Sequence, residues 1–336
     1  MSAGFAPTVQ DLGRPHVQNL GVPPSGALDP VALRIANALV GNPPDAAALE
    51  LRVMGPTLEV TAEAIRIALV GTAAPIELLA DRPARIPAYE SARLERGQRF
   101  RIGGLSDTGV AYLAVEGGID VPAVYGSRST YARARIGGVD GRPVAGGDAL
   151  PLALDTVPER EERRCADLSW LDEVGPFRVV LGPQDDYITE ASIKRFFAEG
   201  YAASREADRM GIRLDGPVLE HARGHDIVSD GIATGAIQVP GNGRPIVLLA
   251  DHQTTGGYPK LGTVISADVP RLGRLRPGDA LRFERITVAE AEALRRVLEQ
   301  RIARVIERFE PARAWLDEAA LYRENLVSGV VGSAED

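Results

Sequence analysis

The chain has 336 residues, 45% of them hydrophobic, and a formal net charge of −8. That length fits about two domains, and that composition belongs to an ordinary folded protein and excludes a fibrous or wholly disordered one. The acidic balance argues against nucleic acid as a partner, which calls for a basic face. A single cysteine, Cys165, excludes an internal disulfide. Its charged surroundings, PEREERRCADLSW, predict a passive thiol on an exposed linker. No run of about 18 apolar residues predicts a membrane span, and no basic-then-apolar leader opens the chain, so the expected compartment is cytoplasmic. Of 38 basic residues only Lys194 and Lys260 are lysine. Where arginine is so strongly preferred, a lysine marks a place that needs a compact ammonium.

In chain order, the first helix is predicted from Pro30, capped by Asp29, to Gly41, with Leu33, Ala36, Leu39 and Val40 on one face. IRIALVG, RFRIGG and AYLAVEGGI then read as short strands. After residue 176 the same style resumes in FRVVLG, AIQVPG, PIVLLADH, TVISAD and ALRFERI. A short helix is predicted from near Thr189 to before Gly200, with Lys194 on its polar side. A longer one starts at Thr287, where Glu290 completes a capping box. Its apolar stripe comprises Leu294, Val297, Leu298, Ile302, Val305, Ile306 and Phe309. Turn signals every 8–12 residues, roughly, favour closed sheets over βαβ units. Short echoes (GPTLEV with GPVLEH, LERGQRFRI with LRPGDALRF) suggest two related halves. The expected fold is mainly β with a few helices, in two β-barrel lobes. The divisions are an N-terminal lobe over 1–154, a charged linker over 155–176, a C-terminal lobe over 177–286, and a helix and tail over 287–336.

Several chemistries are missing: a glycine–lysine phosphate loop, a dinucleotide fingerprint, a nucleophile elbow and a biotin acceptor lysine. His221 and His225 have helical spacing, but Gly224 between them speaks against a metal-binding helix, and no metal is expected.

The densest polar stretch is SDGIATGAIQVPGNGRPIVLLADHQTTGGYPK. A buried strand ends at Asp251 and leads into Gln253, Thr254, Thr255, Gly256, Gly257, Tyr258 and Lys260, with Gln238 upstream. Donors, acceptors and glycines at a strand end can present a planar amide or carboxylate to a rigid frame. Asp251 and Lys260 are the candidate catalytic pair, Lys260 as a point charge facing a developing oxyanion. The alternative is a glycine turn with incidental polar residues. Other substrate-binding candidates are Ser25 with Gly26, and Ser127 with Arg128, which could bind an anion. Asp11 with Arg14, and Asp208 with Arg209, are secondary candidates; for Asp11 and Arg14 a simple ion pair with each other is the favoured reading, and for Asp208 and Arg209 a structural ion pair is the alternative.

TVQDLGRPHVQNLGVPPSGALDPVALRIANALVGNP, ADRMGIRLDGP and SDGIATGAIQVPGNGRPIVLLADHQTTGGYPKLGTVISADVPRL together resemble one family, over residues 8 to 286. It is the allophanate hydrolase subunit 2 family, also described as C/D-type carboxyltransferase subunits, which includes the C-type subunit of 5-oxoprolinase and the sporulation regulator KipA. The tail NLVSGVVG resembles endings of longer members. The resemblance implies cyclophilin-like β-barrel lobes and a B-type partner, allophanate hydrolase subunit 1 or KipI-like. It implies, with an A-type subunit added, a complex that uses ATP to open 5-oxoproline to glutamate. In urea carboxylases the equivalent region moves a carboxyl group from carboxybiotin to urea; a KipA-like regulator would only bind its partner.

Overall fold

The computed structural model describes residues 2–81, 83–171 and 174–312. The tail motif NLVSGVVG and the end of the 287–336 segment lie outside the described residues, as does Asp172 of the charged linker.

The mainly β expectation holds. In the first half, Thr8–Gln10, Ala48–Leu51, Ala111–Val115, Ala64–Val70 and Ser91–Glu95 form an antiparallel sheet in that spatial order. A second sheet orders Thr57–Glu59, Arg99–Ile102, Ile76–Leu78 and Ala84–Ile86. The run AIRIALV is buried along its whole length because both faces of its strand are covered. Ile65, Ile67 and Leu69 join the cluster containing Phe100, Ile102 and Leu113. Ala68 and Val70 face the other way, into the cluster containing helix α1 (Pro30–Val40), as the period-two alternation of a strand requires. Small residues at Ala48, Ala68 and Ala114 let the helix approach the sheet closely.

Helix α1 begins and ends as predicted. The Asp29 carboxylate accepts from the Val31 and Ala32 amides, at 3.0 Å each, and Gly41 closes the helix with φ 84°. Such a cap contributes about 1 kcal/mol. Eight of its eleven residues are buried, more than one face supplies.

The second half is a nearly closed barrel. Its sheet runs Ala280–Leu281, Tyr201–Ala203, Gly211–Asp215, Ile246–Leu248, Ala236–Gln238, Lys260–Val264, Phe177–Leu181, Phe283–Arg285. The first and last strands are separated in sequence only by Arg282, so one bent strand supplies both edges and few backbone groups are left unpaired. Phe196, from helix α2 (Glu190–Ala198), stacks on Phe283 at 4.5 Å, with Tyr201 beside it. Helix α3 (Val269–Arg274) falls just after a stretch read as strand: TVISAD is extended only to Val264. The pattern hid the turn because Asp268 is spent elsewhere, receiving the Arg178 amide at 2.7 Å and its Nε at 2.9 Å.

Helix α4 (Val288–Glu307) has the predicted Thr287–Glu290 capping box. Only part of its stripe is covered: Ile302 and Val305 are buried, whereas Val297 is 55% exposed. Cys165 is not on an exposed linker. It is buried with Trp170 in the cluster that joins α1 to the barrel interior. Charged neighbours misled because Arg163–Arg164 forms a strand with Glu310–Pro311 that leaves the next side chain facing inward.

Candidate functional site

The predicted polar residues of the two halves meet along one seam. Arg209 donates to Asp251 from Nε at 2.8 Å and from Nη2 at 3.1 Å, to Glu50 at 2.5 Å, and to the Gly26 carbonyl at 2.7 Å. Burial alone would lower its pKa, but Glu50 and Asp251 outweigh that and raise it, so the guanidinium stays charged. Glu50 also accepts from the Tyr112 hydroxyl at 2.7 Å and the Leu28 amide at 3.0 Å. Every oxygen in this buried group is thus matched, which charged groups out of water demand. Ser25 (φ 52°) and Gly26 (φ 85°) are both left-handed, turning the chain so that the Ser25 amide reaches the Ala250 carbonyl at 2.9 Å. A side chain at Gly26 would meet the Gly13 amide nitrogen at 2.7 Å.

The donors expected to bind an anion around Ser127 and Arg128 already hold one, the chain's own Asp11. Its carboxylate accepts from the Ser127 hydroxyl at 2.7 Å, the Arg128 amide at 2.6 Å, the Ser129 hydroxyl at 2.5 Å and the Gly13 amide at 2.7 Å. Asp11 and Arg14 are not a direct pair. Arg14 is fully buried and donates to the Ser129 and Val124 carbonyls. Burial lowers its pKa, with Asp11 and Asp251 acting the other way. Asp208 and Arg209 do not pair either: Asp208 caps a turn through the Met210 and Gly211 amides at 2.8 and 3.2 Å.

Asp251 and Lys260 do not face one ligand with opposite charges. Asp251 is matched by Arg209, and the Lys260 ammonium donates to Asp230 at 2.5 Å and to the Gly231 carbonyl at 2.9 Å. Asp230–Gly231 pairs with Thr255–Gly256 as a two-stranded flap over the barrel. Lys260 therefore anchors the flap from beneath, and the Asp230 carboxyl is held below its ordinary range, chiefly by that hydrogen bond. The loop residues are the flap itself. The Thr254 carbonyl accepts from the Ile232 amide at 3.1 Å, and that of Gly257 from Ile227 at 2.8 Å. The flap packs closely here: a Cβ at Gly256 would lie 2.5 Å from the Gln238 amide nitrogen and 2.7 Å from Ile232 Cδ1.

Under the flap, the Gln253 side-chain amide donates to Gln238 Oε1 at 3.1 Å. Gln238 is 2% exposed, and its Nε2 has no partner. Both glutamines line a cleft of about 270 Å³ with Tyr258, Met210, Asp208 and Arg133. An adjoining cleft of about 230 Å³ shares Arg133, Asp208 and Met210 and reaches Glu50, Arg209 and Asp251. A cavity of about 300 Å³ lies elsewhere, lined by Leu49, Ile65, Phe100 and Leu113 together with Thr57, Glu59, Thr61 and Asp148, and none of the polar residues singled out in the sequence reaches it. The paired clefts join apolar walls to a few convergent polar groups, the usual make-up of a small-molecule site.

Sequence reasoning gave no role to three residues here. Glu50, a carboxylate inside the apolar strand ALEL, carried a usable signal. His252 is fully buried, its Nδ1 2.6 Å from the Gln253 carbonyl and its Nε2 without a partner. Arg133 gave no signal among so many arginines. His221 lies 3.1 Å from the Val239 carbonyl. Among the described residues no group of three or more His, Cys, Asp or Glu could hold a metal ion, and no helix is long and apolar enough to cross a membrane.

Residues 20–285 match the family described as carboxyltransferase domain, subdomain A and B. The chain is 37% identical over 289 residues to the C-type subunit of the 5-oxoprolinase of Escherichia coli (strain K12), covering 86% of this chain and 91% of that protein. It is 34% identical over 320 residues to the urea amidolyase of Lachancea kluyveri, covering 88% of this chain but only 17% of that one. The crystal structure of the Kluyveromyces lactis urea carboxylase superposes with a TM-score of 0.82 at 30% identity, over 90% of this chain and 28% of that one. The chain therefore spans less than a third of either larger protein.

Proposed function

Because the chain belongs to the carboxyltransferase family of subdomains A and B, we propose that it is the C-type subunit of a 5-oxoprolinase-type complex. The complex opens 5-oxoproline to glutamate at the expense of ATP. The observation that carries this reading is 37% identity running over nine-tenths of a C-type 5-oxoprolinase subunit. Its partners are a B-type subunit and an A-type subunit, its setting is cytoplasmic, and ATP is consumed by the assembly.

The clefts support a planar amide substrate. Ring opening breaks the lactam C–N bond as water adds to the carbonyl carbon, so the site must orient the carbonyl and take up charge on its oxygen. Gln238 offers a buried N–H donor with nothing yet to donate to. Gln253 and Tyr258 border the same space, and the flap held by Lys260 fixes Gln253 in place. Arg209, held by two carboxylates and a carbonyl, makes one wall rigid without being free to react.

A second reading, transfer of a carboxyl group to urea, draws on the urea carboxylase likeness, and urea is planar and amide-like too. Co-purification decides between them. The proposal expects B- and A-type chains and turnover that avidin leaves untouched. A biotin carrier with avidin-sensitive carboxylation of urea would establish the second reading, and a tight complex without turnover would leave a regulator.

A further inference from the structure

We propose that Arg133 binds the carboxylate of the substrate and thereby selects a carboxylate-bearing lactam over a bare urea. This rests on the ring-opening reading above and goes beyond it by naming the residue that sets specificity.

Arg133 belongs to the first half of the chain, on the 3-10 turn Ala132–Ala134, yet it borders both clefts alongside Asp208 and Met210 of the barrel. Its side chain is 64% exposed, and its ion contact is a long one, 4.0 Å to Asp208 Oδ2. The other oxygen of Asp208 is committed to two backbone amides. The neighbouring arginines are spoken for or misplaced. Arg209 is held by Glu50, Asp251 and the Gly26 carbonyl. Arg213 pairs with Glu206 at 2.9 Å. Arg52 borders only the cleft that lacks Gln238.

The second observation lies in the cleft's lining. Gln238 is 2% exposed, and its Nε2 has no acceptor. A buried donor left so needs an explanation, and among the buried side-chain atoms without a partner in the described residues, Gln238 Nε2 alone belongs to a residue lining this cleft. The same cleft thus holds an amide donor for a carbonyl and a guanidinium whose planar fork suits a carboxylate. A lactam bearing a ring carboxylate carries both groups; urea carries only the first. Apolar Met210, Ile246 and Leu248 also line this cleft, and suit the ring methylenes between them.

The test uses the assembled complex and two substrates, 5-oxoproline and 2-pyrrolidinone, the same ring without the carboxylate. Arg133→Gln should raise KM for 5-oxoproline about 10- to 100-fold with kcat nearly unchanged, the pattern of lost uniform binding. Turnover of 2-pyrrolidinone should be the same in both proteins, and Arg133→Lys should recover part of the loss. An unchanged KM, an equal fall on both substrates, or a variant that no longer assembles would each overturn the assignment. A wild-type complex that does not open 5-oxoproline at all would instead remove the reading on which it rests.

Discussion

Arg209 and Glu50 meet at 2.5 Å, joining the barrel to the strand Ala48–Leu51 of the first half. Arg209 also holds Asp251, so one guanidinium keeps two buried carboxylates satisfied. Removing one partner of such a group costs far more than the group contributes, because the others stay buried and charged. Arg209→Met should lose about 3–5 kcal/mol in urea unfolding. Adding Glu50→Gln to that background should recover part of it. A loss below about 1 kcal/mol would show that the seam is not a buried ion group.

The flap makes a separate prediction. Lys260 is only 6% exposed and spans Asp230 and the Gly231 carbonyl. The wider fork of Lys260→Arg cannot occupy that space. Hydrogen exchange should rise at residues 230–232 and 254–256, and turnover of the reconstituted complex should fall by about 10- to 100-fold as Gln253 loses its position. Lys194→Arg is the control: Lys194 is 74% exposed on α2 and pairs with Glu190, and its change should stay within about twofold. Unchanged exchange in Lys260→Arg would mean the flap holds itself.

Cys165 should be slow to react. Burial pushes its thiol up from 9.0 to about 11, so at pH 8 its thiolate fraction falls about 100-fold. Iodoacetamide should label the native chain far more slowly than the urea-unfolded chain. Comparable rates would contradict the burial.

His252 ties stability to pH. Burial, the largest influence, holds its pKa below the ordinary 6.5 in the folded protein. The unfolded chain then binds a proton near pH 6.5 that the folded chain refuses. Stability is full above that pH and is lost as pH falls toward the depressed folded pKa. His252→Gln should remove this share of the difference between unfolding midpoints at pH 7.5 and 5.5. An identical pH dependence in variant and wild type would refute it.

Legibility in the sequence followed the range of the interaction. The caps at Asp29 and Thr287 and the strand alternation are local, and the residues show them directly. The loop after Asp251 was legible as a dense polar run, but its working was not. Lys260 acts on Asp230, thirty residues away, and Asp251 on Arg209, forty-two away, and no spacing reports such partners. Asp11 was visible as a charge, but not as the anion that fills the Ser127–Arg128 donors, since they meet across more than a hundred residues. Cys165 misled because its neighbours' charges describe their own side chains, while its thiol points the other way. Arg133 had no mark at all in an arginine-rich chain; only the shape of the cleft singles it out.

The most direct test of the account is the yield of glutamate in a complex reconstituted from purified B-type and A-type subunits, with and without this chain, given 5-oxoproline and ATP. Glutamate and ADP should appear together only when all three are present, and avidin should change nothing. Glutamate formed at the same rate without this chain, or no glutamate with all three while urea is carboxylated in an avidin-sensitive reaction, would contradict it.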